Sequence, residues 1–409
     1  MYTGVKPHFS NPLIHNCKSN MNRNIFNLYV IKASKWFMLI MPIVVLFYNE
    51  NGLNQFQVFV LQSIYSISIV AFEIPSGYLA DVLGRKKSII IGSILGFLGF
   101  AVYSFSWGFS GFVIAEVVLG IGQSMISGAD SAILYDTLAA QDRKGDYMRL
   151  EGRISSIGNF AEATAGVLGG LLAVYSLRYP YYVQTAIMFF SIPAAFSLVE
   201  PPSAYPQEQA GWAQIKSILK YALVDNQILR FNILFSSITG AATLTMAWCA
   251  QPFFKVIHLP LPAYGVLWTV LNLIVGLVSW YGHRIESKLK QRNSLLIITF
   301  SIAACTILLG LFPNYWGLSF LFVFYMTRGF ATPILKDYIN SCTESNVRAT
   351  VLSIRNFMIR LIFAVVGPIM GYLTDKIGLS QALFISGATY FLFGVTSCYC
   401  YLKVIKNNA

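Results

Sequence analysis

Apolar residues in this chain fall into twelve blocks of roughly 20, and no soluble core accommodates such a pattern. A helix of about 20 residues rises about 30 Å, the thickness of the hydrocarbon layer of a bilayer. Inside lipid the backbone must satisfy its own N–H and C=O groups, so the blocks read as helices. The 409 residues are 56% hydrophobic and only 11% charged, where soluble domains carry about 25% charge. The expected spans are 24–48, 54–80, 88–107, 110–138, 153–175, 180–199, 228–250, 262–284, 294–312, 315–340, 351–373 and 379–402.

The formal net charge of +12 does not call for nucleic acid. Cations crowd into alternate loops, at Arg85, Lys86 and Lys87, at Arg143 and Lys144, and at Lys288, Lys290 and Arg292. The other loops carry only Arg178, Lys255 and Lys376. This is the positive-inside bias, and it puts both termini in the cytoplasm. The polar first 23 residues do not have the form of a cleavable signal, so the first span is expected to stay as an anchor. None of the six cysteines falls in an expected outer loop, and no disulfide framework is implied. The histidines, His8, His15, His258 and His283, do not share a helix face at metal-ligand spacing. A phosphate loop is absent from the sequence, so ATP is not expected to drive the protein directly.

The organisation reads as a cytoplasmic tail (1–23), a six-helix bundle (24–199), a cytoplasmic linker (200–227), a second six-helix bundle (228–402) and a tail (403–409). The linker holds Pro201, Pro202 and Pro206. Within it Trp212, Ile215, Ile218, Leu219 and Ala222 recur at helical spacing, which predicts a short amphipathic helix on the inner membrane surface. An internal repeat supports the two halves. Ser156-Ile157-Gly158-Asn159-Phe160 in the fifth span matches Ser353-Ile354-Arg355-Asn356-Phe357 in the eleventh.

Between the second and third spans stands Gly77-Tyr78-Leu79-Ala80-Asp81-Val82-Leu83-Gly84-Arg85-Lys86-Lys87. The pattern G-x-L-x-D-x-x-G-R-K-K resembles the loop joining the second and third helices of major facilitator superfamily (MFS) transporters. The resemblance implies an all-α membrane protein of twelve transmembrane helices in two pseudo-symmetric six-helix bundles. It implies that Asp81 faces the N-terminus of the eleventh helix and that Gly77 lets two helices approach closely. It also implies that Arg85 pairs with Asp136, latching the halves in an outward-facing state, with Gly84 completing the loop. Arg348, with Arg153 in the comparable place of the first half, is similar to the family's cytoplasmic gate. The chain departs from the family elsewhere. Glu116 stands four residues before Gly120, where an arginine is usual. The antiporter signature of the fifth helix reads Ala165-Gly166-Val167-Leu168-Gly169-Gly170, and a closer copy, Gly367-Pro368-Ile369-Met370-Gly371, lies in the eleventh.

Charges at bilayer depth are costly and belong beside a cavity or a partner. The candidates are Lys32 and Lys35 in the first span, Glu116 and Asp130 in the fourth, Glu162 in the fifth, Arg328 in the tenth, and Arg355 and Arg360 in the eleventh. The third, sixth, ninth and twelfth spans carry none in their interiors. In the MFS arrangement those four helices face lipid. The cations are read as binding an anionic group, and Glu162, then Asp130 and Glu116, as proton carriers. Trp36, Trp248, Trp268, Trp280, Tyr65, Tyr325 and Phe47 are candidates to line a pocket for a ring-bearing substrate.

The reading is therefore a secondary transporter that exports a small organic molecule with an anionic group by alternating access. A siderophore, an organic acid or a drug qualifies. The proton is the coupling ion, and other cofactors are not implied. Alternatives are a proton-coupled importer or exchanger of an anionic metabolite and, more remotely, a non-transporting receptor or scaffold. The bilayer and a small-molecule substrate are the expected partners, nucleic acid is not, and the family implies a monomer. A bacterial inner membrane fits the short loops.

Overall fold

A computed structural model describes residues 12–201, 212–343 and 347–408. Among these residues all regular structure is helical. The chain runs through α1 (Pro12–Trp36), α2 (Val44–Glu50), α3 (Gln55–Leu83), α4 (Arg85–Phe105), α5 (Phe109–Ile126), α6 (Ala129–Ala140), α7 (Tyr147–Ala173), α8 (Tyr179–Phe189) and α9 (Ser191–Phe196). It continues through α10 (Trp212–Lys220), α11 (Gln227–Val256), α12 (Leu261–Leu311), α13 (Gly317–Ser341), α14 (Arg348–Ile377) and α15 (Leu379–Asn408). The prolines at 202 and 206 and the tail before Pro12 lie outside the described residues.

Eight helices among the described residues are long and apolar enough to cross a membrane. Four departures from the expected spans account for the smaller number. The first span is interrupted between α1 and α2, and the sixth between α8 and α9. The fifth lies on α7, which is diluted by glycine, serine and threonine and carries Glu162. The eighth and ninth follow one another in α12, with a kink at Lys290 in place of the expected 285–293 loop. A straight helix of 51 residues would measure about 75 Å, more than twice the hydrocarbon layer. Lys290 interrupts it with φ +63° and ψ 160°, so its two arms run in different directions. The fourth expected span also has a joint, at Gly128 (φ +81°) between α5 and α6.

The interruption of the first span is the most consequential. Residues Phe37–Ile43 leave the helix at membrane depth, where a stranded backbone group has no water to turn to. Two glutamine side chains replace the helical bonds. The Leu39 N–H donates to Gln184 Oε1 of α8 at 2.9 Å. The Val45 N–H donates to Gln251 Oε1 of α11 at 2.9 Å, and Gln251 Nε2 donates to the Met41 carbonyl at 2.7 Å. Gly169 of α7 makes room for the detour, because a β-carbon there would collide with the Leu39 carbonyl.

The buried apolar core divides along the sequence. Two clusters, one around Tyr48, Phe112 and Tyr181 and one around Ile89, Leu134 and Leu198, are built from residues before 200. The largest draws its core from 235 onward, and Phe59 is the one core member it takes from earlier in the chain. The two sets of helices meet along α3 with α14 and α7 with α12. Their closest points lie toward one end of the molecule. There Gly170 meets Gly265, Gln251 holds Met41, and Asp375 accepts the Gln55 and Phe56 N–H groups. At the other end, where Arg85, Arg153 and Arg348 lie, the facing surfaces diverge. Tyr78, Val82, Phe160 and Phe357 are all exposed there, Phe160 at 73%.

Candidate functional site

Between the two sets of helices lies a cavity of about 380 Å³, within the range of about 300–1,000 Å³ usual for small-molecule sites. Each bordering helix contributes through the face it turns inward. Lys35 and Trp36 come from the last turn of α1, just before the chain unwinds. Glu116 comes from α5 and Glu162 from α7. Trp248 comes from α11, Trp268 from α12, Arg328 from α13 and Arg360 from α14. The cavity thus gathers three cations, two carboxyls and an aromatic wall that includes Tyr65. Among the described residues none of these five charged groups closes an ion pair.

The two carboxyls differ in their surroundings. Glu116 is buried and accepts from Gln62 Nε2 at 2.7 Å and from Tyr48 Oη at 3.0 Å. The Tyr48 hydroxyl is 2.6 Å from that of Tyr103. Its bonds thus come from neutral donors. Glu162 is half-buried and has Arg328 as its charged neighbour. Arg360 faces Glu73 in the same way, and Lys35 faces Asp130.

Three of the eight sequence candidates lie elsewhere. Lys32 and Asp130 border a separate chamber of about 10 Å³, shared with Lys35 and Glu151, enough for one water. Lys32 Nζ stands 5.5 Å from the Trp36 ring centroid, and Asp130 Oδ1 accepts the Ser131 N–H at 2.8 Å. Arg355 is buried away from the cavity. Its Nε donates to Ser236 Oγ of α11 and its Nη1 to Asn356 Oδ1 at 3.2 Å. Arg355 and Arg360 are five residues apart, so their side chains leave α14 about 140° apart. Three aromatic expectations are corrected. Trp280 lies about 120° around α12 from Trp268 and is 84% exposed. Phe47 is fully buried against Tyr181, with ring centroids 4.0 Å apart. Tyr325 is fully buried beside Arg328, outside the lining.

The gate candidates are placed as follows. Arg85 forms an ion pair with Asp136 and donates from Nη1 to the Ala132 carbonyl at 3.1 Å. Both contacts lie within the first set of helices. Gly84 takes φ +96° between α3 and α4. The Glu200 carboxylate caps α4 there, accepting from Arg85 N–H at 2.9 Å and Lys86 N–H at 2.6 Å. Among the described residues nothing lies within 4 Å of a β-carbon at Gly77, and the Asp81 side chain lies outside them. Arg153 is exposed, and Arg348 donates weakly to the Asn340 and Thr343 carbonyls, both at 3.4 Å. The sequence candidates were charges and large aromatic rings, and Gln62, Gln184, Gln251, Tyr48 and Tyr103 were not among them. A glutamine within an apolar block was the available signal.

The family model for the Major Facilitator Superfamily matches residues 26–368. The chain belongs to the major facilitator superfamily. That family transports and does not catalyse, so the protein is a secondary transporter of small molecules across a membrane. Its curated relatives include the quinolone resistance protein NorA of Staphylococcus aureus, 20% identical over 355 residues, covering 83% of this chain and 88% of NorA. Another is YxaM of Bacillus subtilis (strain 168), an uncharacterized MFS-type transporter, 21% identical over 380 residues with 90% and 92% coverage. Among solved structures, the nucleoside transporter NupG superposes with a TM-score of 0.77 over 94% of this chain and 99% of NupG, at 14% identity. At that identity NupG speaks for the fold alone.

Proposed function

We propose that this transporter exports a small, ring-bearing organic molecule with an anionic group, in exchange for protons, by alternating access. In this reading twelve spans form two six-helix bundles, 24–199 and 228–402, joined by the linker 200–227. Positive-inside bias turns the end carrying Arg85, Arg153 and Arg348 to the cytoplasm of a bacterial cell. The cavity between the bundles is then closed outward and open inward.

One observation carries the substrate class. Lys35, Arg328 and Arg360 line one cavity with Trp36, Trp248 and Trp268, and none of the three cations is tied up in an ion pair among the described residues. Cations kept at bilayer depth without a bonded acid are costly unless a ligand answers them. The aromatic wall offers the rest of the ligand a stacking and cation–π surface. The name of NorA supports the same class, since quinolones are aromatic carboxylic acids. Glu162, whose charged neighbour is Arg328, is the acid that a bound anion would compete with for that cation. Glu116, held by neutral donors, is the acid able to keep a proton without a cation competing for it.

The test is ligand binding and proton release on purified protein, with aromatic acids beside cationic drugs of equal size. The reading expects an aromatic acid to bind, to release a proton, and to lose affinity in Lys35→Ala, Arg328→Ala and Arg360→Ala. Binding of cations alone, unchanged in the three variants, would overturn the substrate class. Loss of label from preloaded cells, against uptake into empty ones, decides direction.

A further inference from the structure

The two ends of the α3–α14 pair are built alike. α3 closes with Gly77-Tyr78-Leu79-Ala80-Asp81-Val82-Leu83-Gly84, and α14 closes with Gly371-Tyr372-Leu373-Thr374-Asp375-Lys376-Ile377-Gly378. Glycine, tyrosine, leucine, aspartate and the final glycine recur in register. The backbone repeats with them. Gly84 has φ 96° and ψ 146°, and Gly378 has φ 85° and ψ 158°, a region where glycine alone is unstrained. Each is followed at once by the next helix, α4 at Arg85 and α15 at Leu379. The pair runs antiparallel, with the last turn of α14 against the first turn of α3. Each motif therefore belongs at the N-terminal end of the other helix.

The outer end is engaged. Asp375 Oδ1 accepts the Gln55 N–H at 3.0 Å, and Oδ2 accepts the Phe56 N–H at 2.8 Å. These are the first two residues of α3. The third, Gln57, already donates its N–H to Asn54 Oδ1. Asp375 thus completes the capping of α3 and sets a negative charge at its positive dipole end. A β-carbon at Gly371 would strike the Gln55 carbonyl oxygen and the Phe56 Cα, so the glycine allows the approach.

The inner end is parted. Among the described residues, a β-carbon at Gly77, the counterpart of Gly371, meets nothing within 4 Å. Tyr78 and Val82 are more than half exposed. α14 begins after Val347, which supplies no side-chain cap to its first turn. The donors that Asp375 finds at the start of α3 have their equivalents at the start of α14, where the sequence offers Asp81.

We propose that Asp375 is the outer counterpart of Asp81, a positioning residue that holds the inward-open state. The two aspartates then cap opposite helices in alternation. Rocking that brings the inner ends together puts Asp81 on α14 and draws Asp375 off α3, so each state gains one cap and gives up the other. The inference rests on the alternating-access part of the proposed function. Its readout uses neither substrate nor proton, so it fails separately from the reading of the cavity.

The experiment measures spin-label distances in protein with its native cysteines replaced. One pair of labels sits at the inner end, at Gly145 and Lys288, and another at the outer end, at Tyr175 and Asn314. All four positions are exposed. Removing a helix cap changes an equilibrium by about two- to thirtyfold. Asp375→Ala is expected to shift the population by that factor toward a shorter inner and a longer outer distance. Asp375→Asn, which keeps acceptor capacity without the charge, shifts it less. Asp81→Ala moves both distances the other way, and the double variant returns toward the wild-type ratio. Should Asp375→Ala fail to fold, Asp375→Asn gives the same comparison. Unchanged distances in the Asp375 variants, or a shift in the same direction as Asp81→Ala, would overturn the proposal.

Discussion

Gln251 holds the Met41 carbonyl from Nε2 at 2.7 Å, and the same amide accepts the Val45 N–H at 2.9 Å. One neutral side chain on α11 thereby serves the unwound stretch of the first span from across the seam. The amide is 1% exposed, so water does not share the task. A charge would have carried a larger desolvation cost there, whereas an amide matches one donor and one acceptor at once.

Gln251→Leu keeps much of the volume and strands both backbone groups. Each stranded group costs about 1–3 kcal/mol. The variant is expected to melt at a lower temperature than wild type in detergent, and by more than Gln57→Leu, which removes only the exposed side-chain acceptor of the Asn54 N–H. Equal melting temperatures for the two variants would show that the Gln251 amide does not support the break.

Glu116→Gln tests the proton assignment with little change of shape. The amide can still meet Tyr48 and Gln62, but it has no proton to exchange. Proton-driven transport in vesicles is expected to fall at least about tenfold, the consequence of losing about 1.4 kcal/mol or more of coupling. Substrate counterflow without a proton gradient is expected to continue. A variant that still couples transport to the gradient would move the assignment to Glu162, where Glu162→Gln is the matching experiment.

Gly169→Ala and Gly152→Ala place the same methyl group in the same helix. At Gly169 it collides with the Leu39 carbonyl, and at Gly152 it meets open space. Overpacking of this kind costs about 1–3 kcal/mol, while alanine in an open helix position gains up to about 1 kcal/mol. Thermal scans are expected to show Gly169→Ala destabilised and Gly152→Ala neutral or slightly stabilised. Matching melting curves would argue against a fixed break in the first span.

Arg355→Ala and Arg360→Ala separate packing from binding. Arg355 ties α14 to Ser236 of α11, whereas Arg360 borders the cavity. Arg355→Ala is expected to lower the melting temperature and to leave ligand affinity within about twofold. Arg360→Ala is expected to keep stability and to weaken binding of an aromatic acid by about tenfold or more, in line with the loss of a charged hydrogen bond. The reverse pattern would exchange the two roles.

Much of this protein was legible in one dimension. Hydrophobic block length is a local property set by bilayer thickness, so the membrane class and most helix positions followed from the sequence. The loop from Gly77 to Lys87 is short and contiguous, so its family resemblance survived without a structure. Five of the eight intramembrane charges, Lys35, Glu116, Glu162, Arg328 and Arg360, border one cavity, because charge at that depth is tolerated in few places. Azimuth and long-range partnership were not legible. Arg355 and Trp280 sit at the expected depth but leave their helices on other faces, and a small uncertainty in register is enough to hide that. The break at 37–43 has a local signal in Pro42, which lacks an N–H and disfavours helix in the residue before it, so a kink there was legible in the sequence. What the sequence did not show is how the freed backbone groups are satisfied: Gln184 and Gln251, more than a hundred residues away, supply the bonds the helix gives up. Only the tertiary structure could decide which end of the α3–α14 pair is closed. Both ends carry the same motif, and the engagement of Asp375 depends on how the two sets of helices are tilted.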